Sequence, residues 1–341
     1  MKPSLKDLPN FLQHSLSSND SDFPQSFNLD TSEFRLPARG VLEVIPGKGL
    51  KKEVVISCGI HGNETAPIEI VNHLVSDILA GQQAVNCRTM FIIGHPEAIR
   101  GSKRFVDINL NRLFFQQEHQ QEHQHPYDQA MELERAEVLS RCLEGFFISP
   151  WPRFHYDLHT AIRDSVHRKF AVYPWRPASD WDPVQMGFLA DGGIEAVLLS
   201  HKPASTFSYH STCHFDATAF TLELGKVMPF GENPMQEFAA IDAQLRYLLE
   251  YSGFPAPSGQ QPHLYQVVKE LIRPKGEGVV LNVEDSVANF TDFPANTLIL
   301  QGGGADYRTS NDGEAIVFPN REVPAGQRMG LMVVPIERPN P

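Results

Sequence analysis

Residues 52–80 constrain the fold of this chain more than any other stretch. A nearly all-apolar run, Val54-Val55-Ile56-Ser57-Cys58, ends in GIHGNET, after which Ile68, Val71, Leu74, Val75, Ile78 and Leu79 recur at helical spacing. A strand that is apolar on both faces has to be covered on both faces, as a central strand is in a helix-flanked sheet. A strand running through a glycine-flanked turn into an amphipathic helix is therefore the unit from which the rest is built.

The same periodicities predict strands at 33–46, 89–93, 154–158, 169–173, 195–199 and 218–223. They predict helices at 66–80, 128–147, near 184–192 and over 234–251. Alternating strands and helices imply an α/β fold with a mixed, mostly parallel sheet flanked by helices, over residues 1–252. After Tyr251 the character changes: SGFPAPSGQQP reads as a linker, and short β-type runs follow (GVVLN, TLILQ, EAIVF, RMGLMVVPIE). Residues 256–341 accordingly read as a small β domain. The biased segment Gln116–Gln129 sets His119 and His123 four apart, where they could chelate a metal; a solvated loop or helix end is the blander alternative.

Composition enters mainly by exclusion. A net charge of −12 over 341 residues makes nucleic acid and anionic membrane poor partners, so an anionic substrate would need a few well-placed arginines. No apolar run reaches the roughly 18 residues that span a membrane. The N-terminus lacks the apolar core of a secretory signal. Cys58, Cys87, Cys142 and Cys213 are scattered without a CxxC pair, which fits a reducing cytoplasm and argues against a thiolate metal site.

His61 and Glu64 in GIHGNE stand at a predicted strand end, where α/β sheets place their ligands. HxxE alone arises by chance, but His159 in HYDLHTAIR stands at the end of another predicted strand, with Asp157 as a supporting partner. Three protein ligands with one position left for water is the pattern of a catalytic zinc. Glu223 in FTLELGK is either a solvated strand end or a partly buried carboxylate of raised pKa, suited to act as a base. Lys103, Arg104 and Arg112, with Asn111 between them in the same segment, form a local polar cluster with three positive charges; such residues usually serve solubility, but an arginine fork also reads a carboxylate, and a second arginine can face a developing oxyanion.

Together, GIHGNE, NLNRLF, DLHTAIR and TLELGK resemble the aspartoacylase/succinylglutamate desuccinylase family, whose core is of the zinc carboxypeptidase type. The resemblance covers most of 50–250 and extends to the linker and C-terminal β domain. It implies one Zn2+ held by His61, Glu64 and His159, with Glu223 as general base and acid. It further implies that Arg104 polarises the scissile carbonyl and that Asn111 and Arg112 hold a substrate carboxylate. DLHTAIR and FTLELGK are most similar to the desuccinylase branch, implying hydrolysis of a small anionic N-acyl amino acid, N-succinyl-L-glutamate. Arg163 is a further anion contact or a surface salt bridge. His95 departs from the family's usual asparagine. An aspartoacylase-like hydrolase of another N-acyl amino acid, a metallocarboxypeptidase and a non-catalytic metal-binding protein remain as alternatives.

Overall fold

A computed structural model of the chain describes residues 10–114, 131–177 and 182–337. His119 and His123 lie outside the described residues. The chain opens with α1 (Phe11–Ser17), a hairpin of β1 (Gln25–Leu29) and β2 (Ser32–Leu36), then β3 (Val41–Pro46) and β4 (Leu50–Cys58). It continues through α2 (Thr65–Leu79), β5 (Cys87–Ile93), α3 (Pro96–Arg100), α4 (Met131–Phe146) and β6 (Arg153–Ala161). Next come β7 (Phe170–Tyr173), α5 (Pro183–Asp191), β8 (Ala196–Leu199), α6 (Phe207–Phe215), β9 (Thr218–Lys226) and α7 (Ala239–Glu250). The C-terminal strands are β10 (His263–Ile272), β11 (Val280–Leu281), β12 (Thr291–Phe293), β13 (Leu298–Gln301), β14 (Tyr307–Arg308), β15 (Glu314–Val317) and β16 (Arg328–Pro335).

Thirteen strands form one mixed sheet in the order β1-β2-β3-β5-β4-β6-β9-β7-β8-β10-β16-β15-β12. Its centre, β5-β4-β6-β9, is parallel, as buried βα units require, and β3 and β7 join it antiparallel on either side. One face carries Val54, Ile56, Tyr156, Leu158, Phe220 and Leu222 against Ile68, Val71, Leu74 and Val75 of α2 and Leu245, Leu248 and Leu249 of α7. The other packs Val55, Met90 and Ile92 on Ala136, Leu139 and Leu143 of α4 and Phe207 of α6. At roughly 1.5–3 kcal/mol for each large apolar side chain buried, these two layers dominate the stability of the fold.

The predicted 33–46 strand is two strands, because the chain turns between Leu36 and Val41 before β3 pairs with β5. Helix α6 was not legible: FSYHSTCHF has no apolar stripe, since Ser208, His210, Ser211 and Thr212 are themselves buried. The C-terminal β region is joined to the main sheet, because β10 runs parallel to β8 with His263 opposite Ala196. Phe290, Val317 and Leu331 pack on Phe170 and Leu198 across that junction. The three short strands β11-β13-β14 form a separate sheet beyond it.

Candidate metal centre

The turn after β4 depends on two glycines with different tasks. Gly59 takes φ +63, a backbone conformation that L side chains rarely adopt. Gly62, which the motif suggests as the turn residue, is required for space instead: a Cβ there would lie 2.2 Å from the Ala98 carbonyl carbon. The backbone of α3 therefore fixes where His61 points. Glu64 stands at the N-cap of α2 but caps nothing with its side chain, which reaches back into the site. His159 and Glu223 lie inside β6 and β9 rather than at strand ends, and they are register partners on adjacent parallel strands, which run about 4.8 Å apart.

Glu64 is the hub. Its Oε1 lies 2.8 Å from His61 Nδ1 and accepts from Arg104 Nη1 at 2.6 Å. Its Oε2 lies 2.9 Å from His159 Nδ1 and accepts from the Thr160 amide at 3.1 Å. His61, Glu64 and His159 are all buried, and one ligand atom from each falls within 4.8 Å of the others. The outer ring nitrogens are already engaged, His61 Nε2 with Asn109 Oδ1 at 3.0 Å and His159 Nε2 with Asp157 Oδ2 at 2.9 Å. Asn109 Oδ1 also accepts from the Asn111 amide, so it is an acceptor, and His61 Nε2 must be the donor.

That assignment supplies a test of fit. With its proton on Nε2, neutral His61 aims the Nδ1 lone pair at a carboxylate oxygen, and two acceptors face each other across 2.8 Å. A proton or a metal cation between them removes the conflict, and burial works against the proton by pushing His61 down to about 4 despite the nearby Glu64. Two imidazoles and a carboxylate, each steadied from behind by a polar partner, are a donor set that suits zinc.

The electrostatics of the neighbours follow from burial and charge. Burial would lower His159, but the Asp157 and Glu64 carboxylates outweigh it and hold its pKa well above the usual histidine range. Burial would raise Glu64, and the charges of His61 and His159 hold it low instead. Glu223 is pushed up to about 7, first by burial and then by Glu64, and its Oε2 is buried without a hydrogen-bond partner. A carboxyl group tuned near neutrality beside the cluster can both take and return a proton.

The structure thus brings His61, Glu64, His159, Glu223 and Arg104 together. Asn111 is buried, and its Oδ1 accepts from the Phe207 amide, which ties the NLNRLF segment to the first turn of α6. Arg112 follows it; partial desolvation, then the charges of Arg328 and Arg104, push it down to about 10 while its side chain still reaches water. Arg163 is engaged elsewhere, donating to the Asp285 carbonyl of the C-terminal region. Lys103 takes no part in the cluster's bonds among the described residues.

Two contributors, Asn109 and Arg328, escaped the sequence reading, and a third, His95, was read only as a departure from the family's asparagine. Asn109 sits inside NLNRLF, where its spacing from His61 gives no hint of contact. Arg328 comes from β16 and had no local signal. His95 caps α3 by accepting from the Ala98 amide and lies 3.0 Å from Glu132, whose Oε1 also accepts from the Val106 and Asp107 amides. That bracket holds the loop that carries Arg104.

A mixed α/β sheet with an imidazole–carboxylate–imidazole cluster and a buried carboxyl group at the carboxyl edge of its parallel strands defines a protein of the metallohydrolase type. Comparison with known proteins makes this specific. The succinylglutamate desuccinylase/aspartoacylase catalytic domain matches residues 51–249, and the AstE/AspA barrel-sandwich hybrid domain matches residues 260–336. The succinylglutamate desuccinylase of Idiomarina loihiensis is 42% identical over 91% of each chain. That of Shewanella woodyi is 38% identical over 100% of this chain and 99% of its own. The crystal structure of the Vibrio parahaemolyticus succinylglutamate desuccinylase superposes with a TM-score of 0.86 at 39% identity, covering 96% of this chain and 95% of that one. The chain belongs to the succinylglutamate desuccinylase/aspartoacylase family, and it is an amide hydrolase.

Proposed function

We propose that this protein hydrolyses N-succinyl-L-glutamate to succinate and L-glutamate, a step of amino-acid degradation carried out in the cytoplasm. The observation that carries the chemistry is the buried His61–Glu64–His159 cluster with the unpartnered Glu223 carboxyl oxygen beside it. The substrate follows from relatives at about 40% identity over nearly the whole chain. His61, Glu64 and His159 would hold one Zn2+, which supplies Lewis-acid polarisation and lowers the pKa of water at the site.

The remaining chemistry belongs to the chain's own side chains. Glu223 takes a proton from the water that attacks the succinyl amide carbonyl. A C–O bond forms, the C–N bond breaks, and Glu223 returns the proton to the departing glutamate nitrogen. Arg104, held by Glu64 at the cluster, stabilises the oxyanion as it develops. Arg112, with the segment anchored by Asn111, takes a substrate carboxylate, so that orientation contributes to rate. We assign catalysis to residues 1–252 and a covering role to 256–341. In support, the loop after β6 docks on the C-terminal region, Val166 donating to Asn289 and Asn289 to Asp164.

The test is hydrolysis by the zinc-loaded protein of N-succinylglutamate, N-succinylarginine, N-acetylaspartate and N-acetylglutamate side by side. N-succinylglutamate should have the highest kcat/KM. A clear preference for N-acetylaspartate would move the protein to the other branch of the family.

A further inference from the structure

Strand β6 has one apolar face and one polar face. Phe154, Tyr156 and Leu158 enter the core, whereas His155, Asp157 and His159 point the other way and are just as buried. Ser57 of β4 is the register partner of Asp157. From it runs a continuous chain of short hydrogen bonds. Ser211 Oγ lies 2.7 Å from His155 Nδ1, and His155 Nε2 lies 2.7 Å from Ser57 Oγ. Ser57 Oγ lies 2.6 Å from Asp157 Oδ1, and Asp157 Oδ2 lies 2.9 Å from His159 Nε2. Ser57, His155, Asp157 and Ser211 are 0% exposed.

The proton positions follow from counting. An ionised Asp157 only accepts, so the single Ser57 proton goes to it. Ser57 must then accept from His155, which places that ring's proton on Nε2. His155 Nδ1 is left as an acceptor for the Ser211 hydroxyl. Every donor in the chain thus points toward Asp157, and no bond is left in conflict. The arrangement also answers an energetic problem. A carboxylate in the interior costs several kcal/mol to desolvate, and among the described residues Asp157 has no lysine or arginine ion pair, only His159.

We propose that Ser57, His155 and Ser211 are positioning residues for the metal centre. They hold the Asp157 carboxyl in one orientation, so that it accepts from His159 Nε2 and leaves Nδ1 as the ring's ligand atom. The inference rests on the metal reading of the cluster and not on which substrate is cleaved. His61 is backed by the neutral oxygen of Asn109, so of the two imidazoles only His159 has a carboxylate behind it.

The experiment measures zinc affinity by chelator competition, and the visible spectrum of the cobalt-substituted protein, for wild type, Ser57→Ala, His155→Leu and His155→Gln. Ser57→Ala and His155→Leu should each weaken zinc binding by roughly 10-fold and shift the cobalt bands. His155→Gln, which restores an N–H toward Ser57, should recover most of both. If His155→Leu fails to fold, the smaller Ser57→Ala change still decides. Wild-type affinity and an unshifted spectrum in Ser57→Ala would overturn the proposal alone, whereas a wild-type protein that binds no zinc would overturn it together with the metal reading.

Discussion

The two ends of the central strands carry two charge clusters of opposite character. At the amino end, Arg88 of β5 lies 2.6 Å from Glu43 of β3 and 3.0 Å from Glu53 of β4, and Arg153 of β6 approaches Glu53 at 3.6 Å. Arg88 also donates to the Phe146 carbonyl, which closes the group against α4. Two arginines meet two carboxylates, so nothing is left for a ligand to do. At the carboxyl end Glu64, Asp157 and Glu223 converge on two histidines, with Arg104 the one arginine among the described residues bonded to the cluster, and acceptors face acceptors. Charge balance separates the two: the balanced cluster ties strands together, and the unbalanced one calls for a cation and a substrate.

Substitutions at the two ends should therefore fail in different ways. The largest effect is expected from Glu223→Gln, which keeps the ligand set and removes the base. Turnover should fall by about 10^2–10^4-fold while zinc stoichiometry and thermal stability hold. Near-normal turnover would show that Glu223 is not the base. Arg88→Leu should do the reverse, costing about 3–5 kcal/mol of stability by stranding the buried Glu53, while the protein that remains folded keeps its kcat/KM and zinc affinity. Denaturant unfolding combined with assays at low temperature separates the two outcomes.

A graded effect should follow pH. His210 on α6 bonds the Phe114 carbonyl through Nδ1, and burial, then His214, push it down to about 4. Because its folded pKa is depressed, its contribution to stability is complete above the unfolded value of about 6.5 and is lost as pH falls toward about 4. The loss is on the order of 3 kcal/mol. His210→Asn, which can keep the N–H donor to Phe114, should flatten the pH dependence of unfolding over that window. An unchanged slope would assign the acid sensitivity to other groups.

The two ends were also unequally legible in the sequence. GIHGNE sits where β4 gives way to a turn and α2, so its glycines and broken periodicity flag it, whereas His159 and Glu223 stand out as titratable residues near the carboxyl ends of β6 and β9. The balanced network could not be read at all. Glu43, Glu53, Arg88 and Arg153 stand one on each of four strands, and only the sheet register brings them together. For the same reason Ser57 and His155 passed as unremarkable strand residues, although Asp157 was recognised as a partner of His159. The apolar periodicity of α2 and α7 placed both helices to within a few residues, whereas α6 was missed because it buries Ser208, His210, Ser211 and Thr212 alongside Phe207 and Tyr209. Arg163 illustrates the remaining difficulty. Its spacing from His159 suggested an anion contact, but the loop geometry turns it onto the Asp285 carbonyl.

If the carboxyl-end cluster is a metal centre that serves amide hydrolysis, metal occupancy and activity must rise together. The most direct measurement is a zinc titration of the chelator-stripped protein, with bound metal and succinate release from N-succinylglutamate followed in the same samples. Activity should rise in proportion to occupancy and level off at one zinc per chain, and His159→Ala should abolish both. Full activity in the stripped protein, or zinc uptake unaffected by loss of His159, would contradict it.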